Sequence, residues 1–459
     1  MNGTTDVAVI GAGPAGLAAA ATAADAGLGA VILDNQPDVG GQIYRGIRTA
    51  DDRRCRILGR DYAAGRALLD TLERKRVSHI AGAFVWEVTP DRRIFYSRDG
   101  GATVLRAQHV VLCTGAIERP MPFPGWTMPG VMTAGAGQIL LKASGIVPPS
   151  PTVLAGSGPL LFLVAVQYLR AGHPLAAIVE TTPRANPRRA LRFLPGVARG
   201  SSYLRKGIAL LAELKRRRVH HYKGAHGLRA LGEGRVASFA FRTDGAEHEI
   251  ACATLLIHNG VVPNVQITRS LGLDHVWEPL QRCWRPRLGE WGETTIEGVA
   301  VAGDGGGIAG VEAAVLRGRI AGLHAAWRLG QLSAEAAKRR ARRERRRLAG
   351  YEAARPFLDA LYAPAPALLV PSDETVVCRC EEVTAGAIRK QVSLGCLGPN
   401  QLKAFARAGM GPCQGRLCGL SVSEIIAAAR GVPVDDIGYY RIRPPIVPVT
   451  LGEIAAAAP

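Results

Sequence analysis

Aromatic residues are scarce in this chain: Phe, Trp and Tyr make up 5% of its 459 residues. Single-stranded nucleic acid is held on aromatic stacking platforms. Their scarcity, with no base-reading motif, argues against such a ligand despite a formal charge of +19. No two cysteines form a Cys-x-x-Cys pair, which leaves dithiol exchange without a seat. No apolar run reads as a transmembrane segment. The nearest, LAGSGPLLFLVAVQYLRAG, opens on a glycine-proline turn and reads as a buried helix. No leader is apparent either, because MNGTTD is short and polar and runs straight into VAVI. The expectation is a cytoplasmic chain, with peripheral attachment to the inner membrane as the alternative.

Glycine, by contrast, is plentiful at 55 residues, and alanine abounds. That balance suits closely packed α/β layers with many backbone turns. The length exceeds what one hydrophobic core supports, so two or three domains are expected. Charge concentrates in KRRARRERRR (338–347), eight basic residues against Glu344. Such a run reads first as a solvated helix face, and its functional alternative is an acidic protein partner.

The stretch DVAVIGAGPAGLAAAATAADAGLGAVILD begins as an apolar strand. It turns through Gly11, Gly13 and Gly16 in G-x-G-x-x-G spacing and continues as a small-residue helix. Gly11 permits the tight turn, Gly13 lets a pyrophosphate approach the backbone, and Gly16 lets helix and strand pack closely. The helix N-terminus faces the phosphates with free N–H groups. Asp34 ends the next strand, where a carboxylate accepts hydrogen bonds from an adenosine ribose. Strand, turn, helix and acid in register predict an adenine-nucleotide site.

A related pattern begins its glycine run at Gly156, 145 positions on, and ends on Glu180, 146 beyond Asp34. Thr114–Gly115 likewise has its counterpart in Asn259–Gly260. Duplication of one nucleotide-binding-type domain explains these offsets. The second copy departs at its third glycine, which is Leu161, so helix and strand are expected to stand too far apart for a nicotinamide dinucleotide. Arg184, Arg188 and Arg189 beyond Glu180 are placed to meet a 2′-phosphate but read first as surface charge. His258, a lone histidine at a strand end, reads as a packing residue.

Toward the C-terminus CRCEEVT supplies Cys378 and Cys380, and GPCQGRLCG supplies Cys413 and Cys418. These four give the thiolate count of a [2Fe-2S] cluster, and in extended chain residues i and i+2 face one side. Structural zinc is the competing reading, but its knuckles commonly begin C-x2-C. TAGAIRKQVSLG, capped by Thr384, and PNQLKAFARAG, opened by Pro399, predict short helices. SVSEIIAAARG predicts a third, whose first amides would face the sulfurs. Gly411, Gly415 and Gly419 are expected to leave room for backbone beside the metal. Cys396 is not counted as a ligand, and Cys55, Cys113, Cys252 and Cys283 read as isolated buried thiols.

GAGPAG with Asp34, GGQIYRG (40–46), CTGAIERPMPFPG (113–125) and VAVAGDGGG (299–307) together resemble the two-dinucleotide-domain flavoproteins, the superfamily of the pyridine nucleotide-disulfide reductases. The resemblance implies FAD. Its expected holders are Gly11, Gly13, Pro14, Ala15, Gly16, Asp34, Gly41, Gln42, Thr114, Gly115, Gly303 and Asp304, the last hydrogen-bonding the ribityl chain. The cysteine segment resembles the bacterioferritin-associated-ferredoxin type of [2Fe-2S] domain. Over nearly the whole chain the motifs resemble the larger flavin subunit of opine oxidases, hydrogen cyanide synthase and heteromeric D-hydroxyproline or L-proline dehydrogenases. The partner this implies is a smaller, amine-oxidase-like flavoprotein subunit, which oxidises the C–N bond of an opine, amino acid or imino acid. The present chain would relay the electrons, in some members with FMN at the subunit interface.

The expected architecture is α/β, with two Rossmann-like domains and a small helical [2Fe-2S] domain. An FAD-binding domain lies in two parts (1–120 and 286–332) around a second, altered NAD-type domain (121–285). A basic helical linker (333–372), the cluster domain (373–435) and an extended tail (436–459) that needs a surface to order it complete the chain. Two readings compete with the relay: a stand-alone NAD(P)H-dependent flavin reductase feeding its own cluster, and a non-catalytic scaffold whose cluster is structural.

Overall fold

Strand β1 (Gly3–Ile10) is wholly buried from Val7 onward, as the central strand of a parallel sheet must be. In the computed structural model, which describes residues 3–73, 77–198 and 200–457, β1 lies between β2 (Ala30–Asp34) and β6 (Gly101–Leu112), parallel to both. Strand β3 (Val77–Ala81) extends the sheet beyond β2. On the other side β4 (Phe84–Val88) and β5 (Arg93–Arg98) add an antiparallel meander to β6. A strand at Val299–Val301 returns from far along the chain to pair with β6.

Helix α1 (Pro14–Asp25) follows the first glycine turn. It packs on a later helix, Val311–Arg328, so closely that a Cβ on Gly318 would stand 2.1 Å from the Ala15 oxygen and one on Gly322 2.6 Å from the Ala19 oxygen. So close a contact suits a helix in which seven of twelve residues are alanine.

The chain crosses to the second domain through β7 (Ala116–Glu118). That domain is a parallel sheet in which β8 (Val131–Thr133) stands at one edge, followed by a strand at Thr254–Asn259, then β9 (Thr152–Ser157), β10 (Leu175–Glu180) and β11 (His221–Lys223). Helix α2 (Ala134–Ser144) follows β8, and α3 (Pro159–Arg170) is the buried helix behind the second glycine turn. Helix α4 (Ser201–Arg216) lies on the outside. The chain returns through Val261–Pro263, which pairs antiparallel with β7.

Among the described residues no helix is long and apolar enough to cross a membrane. Helix α5 (Ala334–Leu361) carries the basic run and is capped by Ser333 Oγ, which accepts from Ala336 N at 3.2 Å. Its second half straps the second domain: a Cβ on Gly196 would lie 2.0 Å from the Ala353 oxygen.

The C-terminal segment contains the helices α6 (Ala385–Ser393), α7 (Pro399–Ala406) and α8 (Gly419–Arg430), and two short ones at Val434–Ile437 and Leu451–Ala456; the last, opened by a capping box of Thr450 and Glu453, departs from the extended tail expected there. Thr384 Oγ1 caps the first by accepting from Ala387 N at 3.2 Å, and Pro399 opens the second. The tail differs from expectation in what orders it. Ile446 N donates to Trp86 O at 2.9 Å, and Tyr440, Ile442 and Ile446 are buried in the core that contains Cys378 and Cys418. The chain's own first sheet supplies a surface to this part of the tail.

Candidate functional site

At the end of β1 the backbone turns through Gly11 at φ +108°, where a Cβ would lie 2.4 Å from the Cys113 oxygen. A Cβ on Gly16 would approach Gly11 O to 1.9 Å. Both glycines are demanded by the protein itself. Gly13 is not: its φ is −76°, and a Cβ there would meet only Gly41 Cα, at 3.8 Å. The glycine leaves the backbone open here, where the G-x-G-x-x-G spacing would bring a pyrophosphate against the turn. No side chain caps α1 at Gly13, so its first N–H groups stay available for phosphate oxygens.

Around this turn the other expected holders gather. Asp34 Oδ2 accepts from Ala12 N at 2.5 Å and Oδ1 from Gln36 N at 2.8 Å, which fixes the acid beside the turn. Gly303, at φ +77°, lies against Ala15, and a Cβ on Gly305 would stand 3.2 Å from Thr114 Oγ1. Asp304 Oδ1 accepts from Ala309 N and Gly310 N at 2.9 and 3.2 Å. Gly11–Gly16, Thr114–Gly115 and Gly303–Asp304 therefore meet at the carboxyl ends of β1, β6 and Val299–Val301, where open α/β sheets bind ligands. The donor set and the space at Gly13 fit an FAD.

Beside Gln42 stands a residue that sequence reasoning missed. Lys142 Nζ donates to Gln42 O at 2.9 Å and to Gln138 Oε1 at 2.8 Å. Gln138 donates in turn to Gln167, and Gln167 to Leu58 O. Burial, and secondarily the Arg45 charge, brings the Lys142 ammonium down to about 7. The available signal was Gln138 and Lys142 four apart in an otherwise small and apolar helix.

At the second glycine turn His258 is not alone. Its Nδ1 lies 2.6 Å from Glu118 Oε1, while Glu118 Oε2 accepts from Gly135 N at 2.9 Å. The imidazole is buried against the turn, 3.2 Å from where a Gly158 Cβ would be. Glu180, the counterpart of Asp34, is engaged by His221 Nε2 at 3.0 Å. Asn186 Nδ2 donates to the carbonyls of Leu361 and Ala363 at 3.2 and 3.0 Å, bringing the chain that leaves α5 over this end of the sheet. Tyr362 there packs on Phe162, and its hydroxyl is pushed up to about 12 by burial and then by the Glu180 charge. Leu161 is fully buried, Arg184 pairs with Asp244, and Arg188 and Arg189 are exposed.

The four cysteines share one neighbourhood. Cys378 and Cys418 are buried, Cys413 is half-buried and Cys380 is exposed. The thiols meet as two pairs, Cys378 with Cys418 and Cys380 with Cys413. Cys378 is brought down to about 6, first by its hydrogen bond with Cys418 and then, against burial, by the amides of Gly409, Glu381 and Cys380. Cys418 correspondingly holds its proton. A thiolate fed by amide donors is the species that ligates metal. Among the described residues no three His, Cys, Asp or Glu side chains converge as a metal site. The glycines serve otherwise than expected: Gly411 makes room for Cys380, Gly415 for Tyr440 and Gly419 for Tyr439. Cys396 is buried, with its Sγ directed to Gly398 O at 3.5 Å. Burial raises the Cys113, Cys252 and Cys283 thiols, and Cys55 is half-buried.

One short segment joins the two sites. Thr114 Oγ1 donates to Asn264 O at 3.1 Å, and Asn264 N donates to Gly115 O at 3.0 Å. Two residues on, the buried Gln266 Nε2 donates to Cys413 O and Gln414 O at 3.2 and 3.3 Å.

Comparison with known proteins matches residues 5–330 to the pyridine nucleotide-disulphide oxidoreductase family and residues 372–458 to the sarcosine oxidase A3 domain. An opine oxidase subunit from Rhizobium meliloti is 41% identical over 455 residues, 98% of each chain. Hydrogen cyanide synthase subunit HcnB of Pseudomonas protegens is 33% identical, over 96% of this chain and 95% of its own. The structure of L-proline dehydrogenase from P. horikoshii shares the fold, with a TM-score of 0.71 at 19% identity over 99% of this chain and 80% of that one. The chain belongs to the pyridine nucleotide-disulphide oxidoreductase family, and within it to the group of the opine oxidase and hydrogen cyanide synthase subunits.

Proposed function

We propose that this chain is the FAD-binding, electron-transferring subunit of a heteromeric dehydrogenase or oxidase acting on the C–N bond of an opine, amino acid or imino acid. The observation that carries the proposal is the Asn264–Gln266 segment, hydrogen-bonded at one end to the Thr114–Gly115 turn and at the other to the loop of Cys413. FAD when bound supplies a carrier that takes electrons in pairs and releases them singly, and a [2Fe-2S] cluster supplies a one-electron site. The residues of the chain do the rest. The Gly13 turn admits the pyrophosphate, Asp34 and Asp304 hold ribose and ribityl hydroxyls, and Cys378, Cys380, Cys413 and Cys418 supply the thiolates.

The relatives' names support the reading, since opine oxidase and hydrogen cyanide synthase are each named by subunit. In it the smaller flavoprotein subunit oxidises the substrate, with FMN at the interface of the two. The test is dye reduction with opines, amino acids and imino acids as donors. The isolated chain should show none, and adding the second subunit should restore it. Substrate-dependent reduction by the chain alone would place the chemistry here instead.

A further inference from the structure

Two features of the sequence lie outside both sites: the cation run at 338–347, and the stretch 181–212, which holds seven cations and no Asp or Glu. The fold joins them, because the half of α5 that follows the run packs on this stretch. Helix α5 carries the run, and seven of its eight cations are exposed; the eighth, Arg345, packs over Trp291 and pairs with Glu290 at 3.0 Å. None of the seven has a described carboxylate within ion-pair distance. One turn beyond Arg347, α5 meets the acid-free stretch, where Gly200 lies against Gly350 and Ala354.

That stretch also departs from ordinary burial. Of the large hydrophobic residues exposed among those described, Leu191, Leu194, Leu204, Ile208 and Leu211 fall within it, at 39% to 60% exposure. Leu204, Ile208 and Leu211 stand at i, i+4 and i+7 of α4, which makes one stripe. Arg205, Lys215 and Arg216 border it, all exposed. The acid of this helix, Glu213, pairs with Arg170 at 2.5 Å.

An acidic protein would answer the arginines of α5 but would set its acids against the leucines of α4. An anionic lipid surface answers both, because in-plane amphipathic helices bury an apolar stripe at the acyl boundary while their cations meet the headgroups. We propose that this face, α4 together with the cation run of α5, seats the protein on an anionic bilayer without spanning it. The proposal does not depend on the chemistry assigned to the flavin turn or the cysteines.

The test is co-sedimentation of the flavin-loaded full chain with phosphatidylcholine vesicles, with and without phosphatidylglycerol. Binding is expected to the phosphatidylglycerol vesicles only, and should weaken as salt is added. Exchanging Arg342→Gln together with Arg343→Gln should weaken it about 30-fold, each cation at such a surface contributing about a factor of five. Leu204→Ser with Ile208→Ser should weaken it at every salt concentration. Flavin content and circular dichroism show whether that variant folds, and the exposed arginine pair carries the test if it does not. Absence of pelleting with phosphatidylglycerol vesicles, or pelleting unchanged by the arginine exchange, overturns the proposal. So does a Leu204–Ile208 exchange that releases the second subunit yet leaves vesicle binding intact, since the stripe is then a subunit interface.

Discussion

Lys142 offers the sharpest test of the physics around the flavin turn. Its ammonium has two neutral acceptors, Gln42 O and Gln138 Oε1, and it has no carboxylate partner among the described residues. Burial lowers its pKa from 10.5 to about 7, with the Arg45 charge acting in the same direction. Below the folded value both states carry the proton, and the native state holds a desolvated charge. Between the two values the unfolded chain binds more protons, so stability rises with pH there. The full shift corresponds to about 5 kcal/mol, of which about 2 kcal/mol falls between roughly pH 7 and pH 9. Lys142→Met removes the titration. It also costs about 1–3 kcal/mol for the acceptors left unpaired, a loss that does not vary with pH. The diagnostic is therefore a slope. Urea midpoints read by tryptophan fluorescence should climb with pH more steeply in the wild type than in the variant, because the remaining groups titrate alike in both. Parallel lines across that window would refute the burial of this charge.

Gly13→Ala should leave a folded chain with much reduced FAD content, whereas Gly16→Ala, aimed at Gly11 O, should fail to fold; flavin release and circular dichroism separate the two. Cys413→Ser or Cys418→Ser should abolish iron and acid-labile sulfide while FAD stays bound. Zinc instead of iron in anaerobically prepared wild type would count against the cluster. NADH and NADPH should reduce the flavin slowly or not at all, since Leu161 stands at the third glycine position and Tyr362 packs on Phe162 near Glu180; rapid, saturable bleaching in anaerobic stopped flow would restore the reductase reading.

What the sequence made legible is local. A glycine at φ +108° against a carbonyl, as at Gly11, dictates residue type at one position and can be read there. The Thr384 cap and the Pro399 helix start are equally local, and the structure has both helices. Pairings made by the tertiary fold were opaque. Glu118 and His258 are 140 residues apart and meet only because β7 and Val261–Pro263 pair as neighbouring crossings between the domains. Burial of the tail against Trp86 depends on where the first sheet ends up, which no local pattern encodes. Lys142 was missed because a lysine in a helix is usually solvated, and its perturbation comes from packing rather than from a motif.

The same crossings hold the second domain to both sites. Glu118 sits on one crossing strand, and His258 ends the strand that leads into the other, so their buried contact ties both passages to the second glycine turn. Helix α5 holds the domain from outside through Gly196 and Gly200. Asn264 and Gln266, just past the return crossing, then reach the flavin turn and the cysteine loop from a fixed base. On the proposed reading, the spacing between flavin and cluster governs how well they exchange electrons, and this frame sets that spacing. Loosening the frame by His258→Ala, with Gly13 and all four cysteines intact, should therefore leave cofactor content unchanged and slow flavin-to-cluster electron transfer in stopped flow.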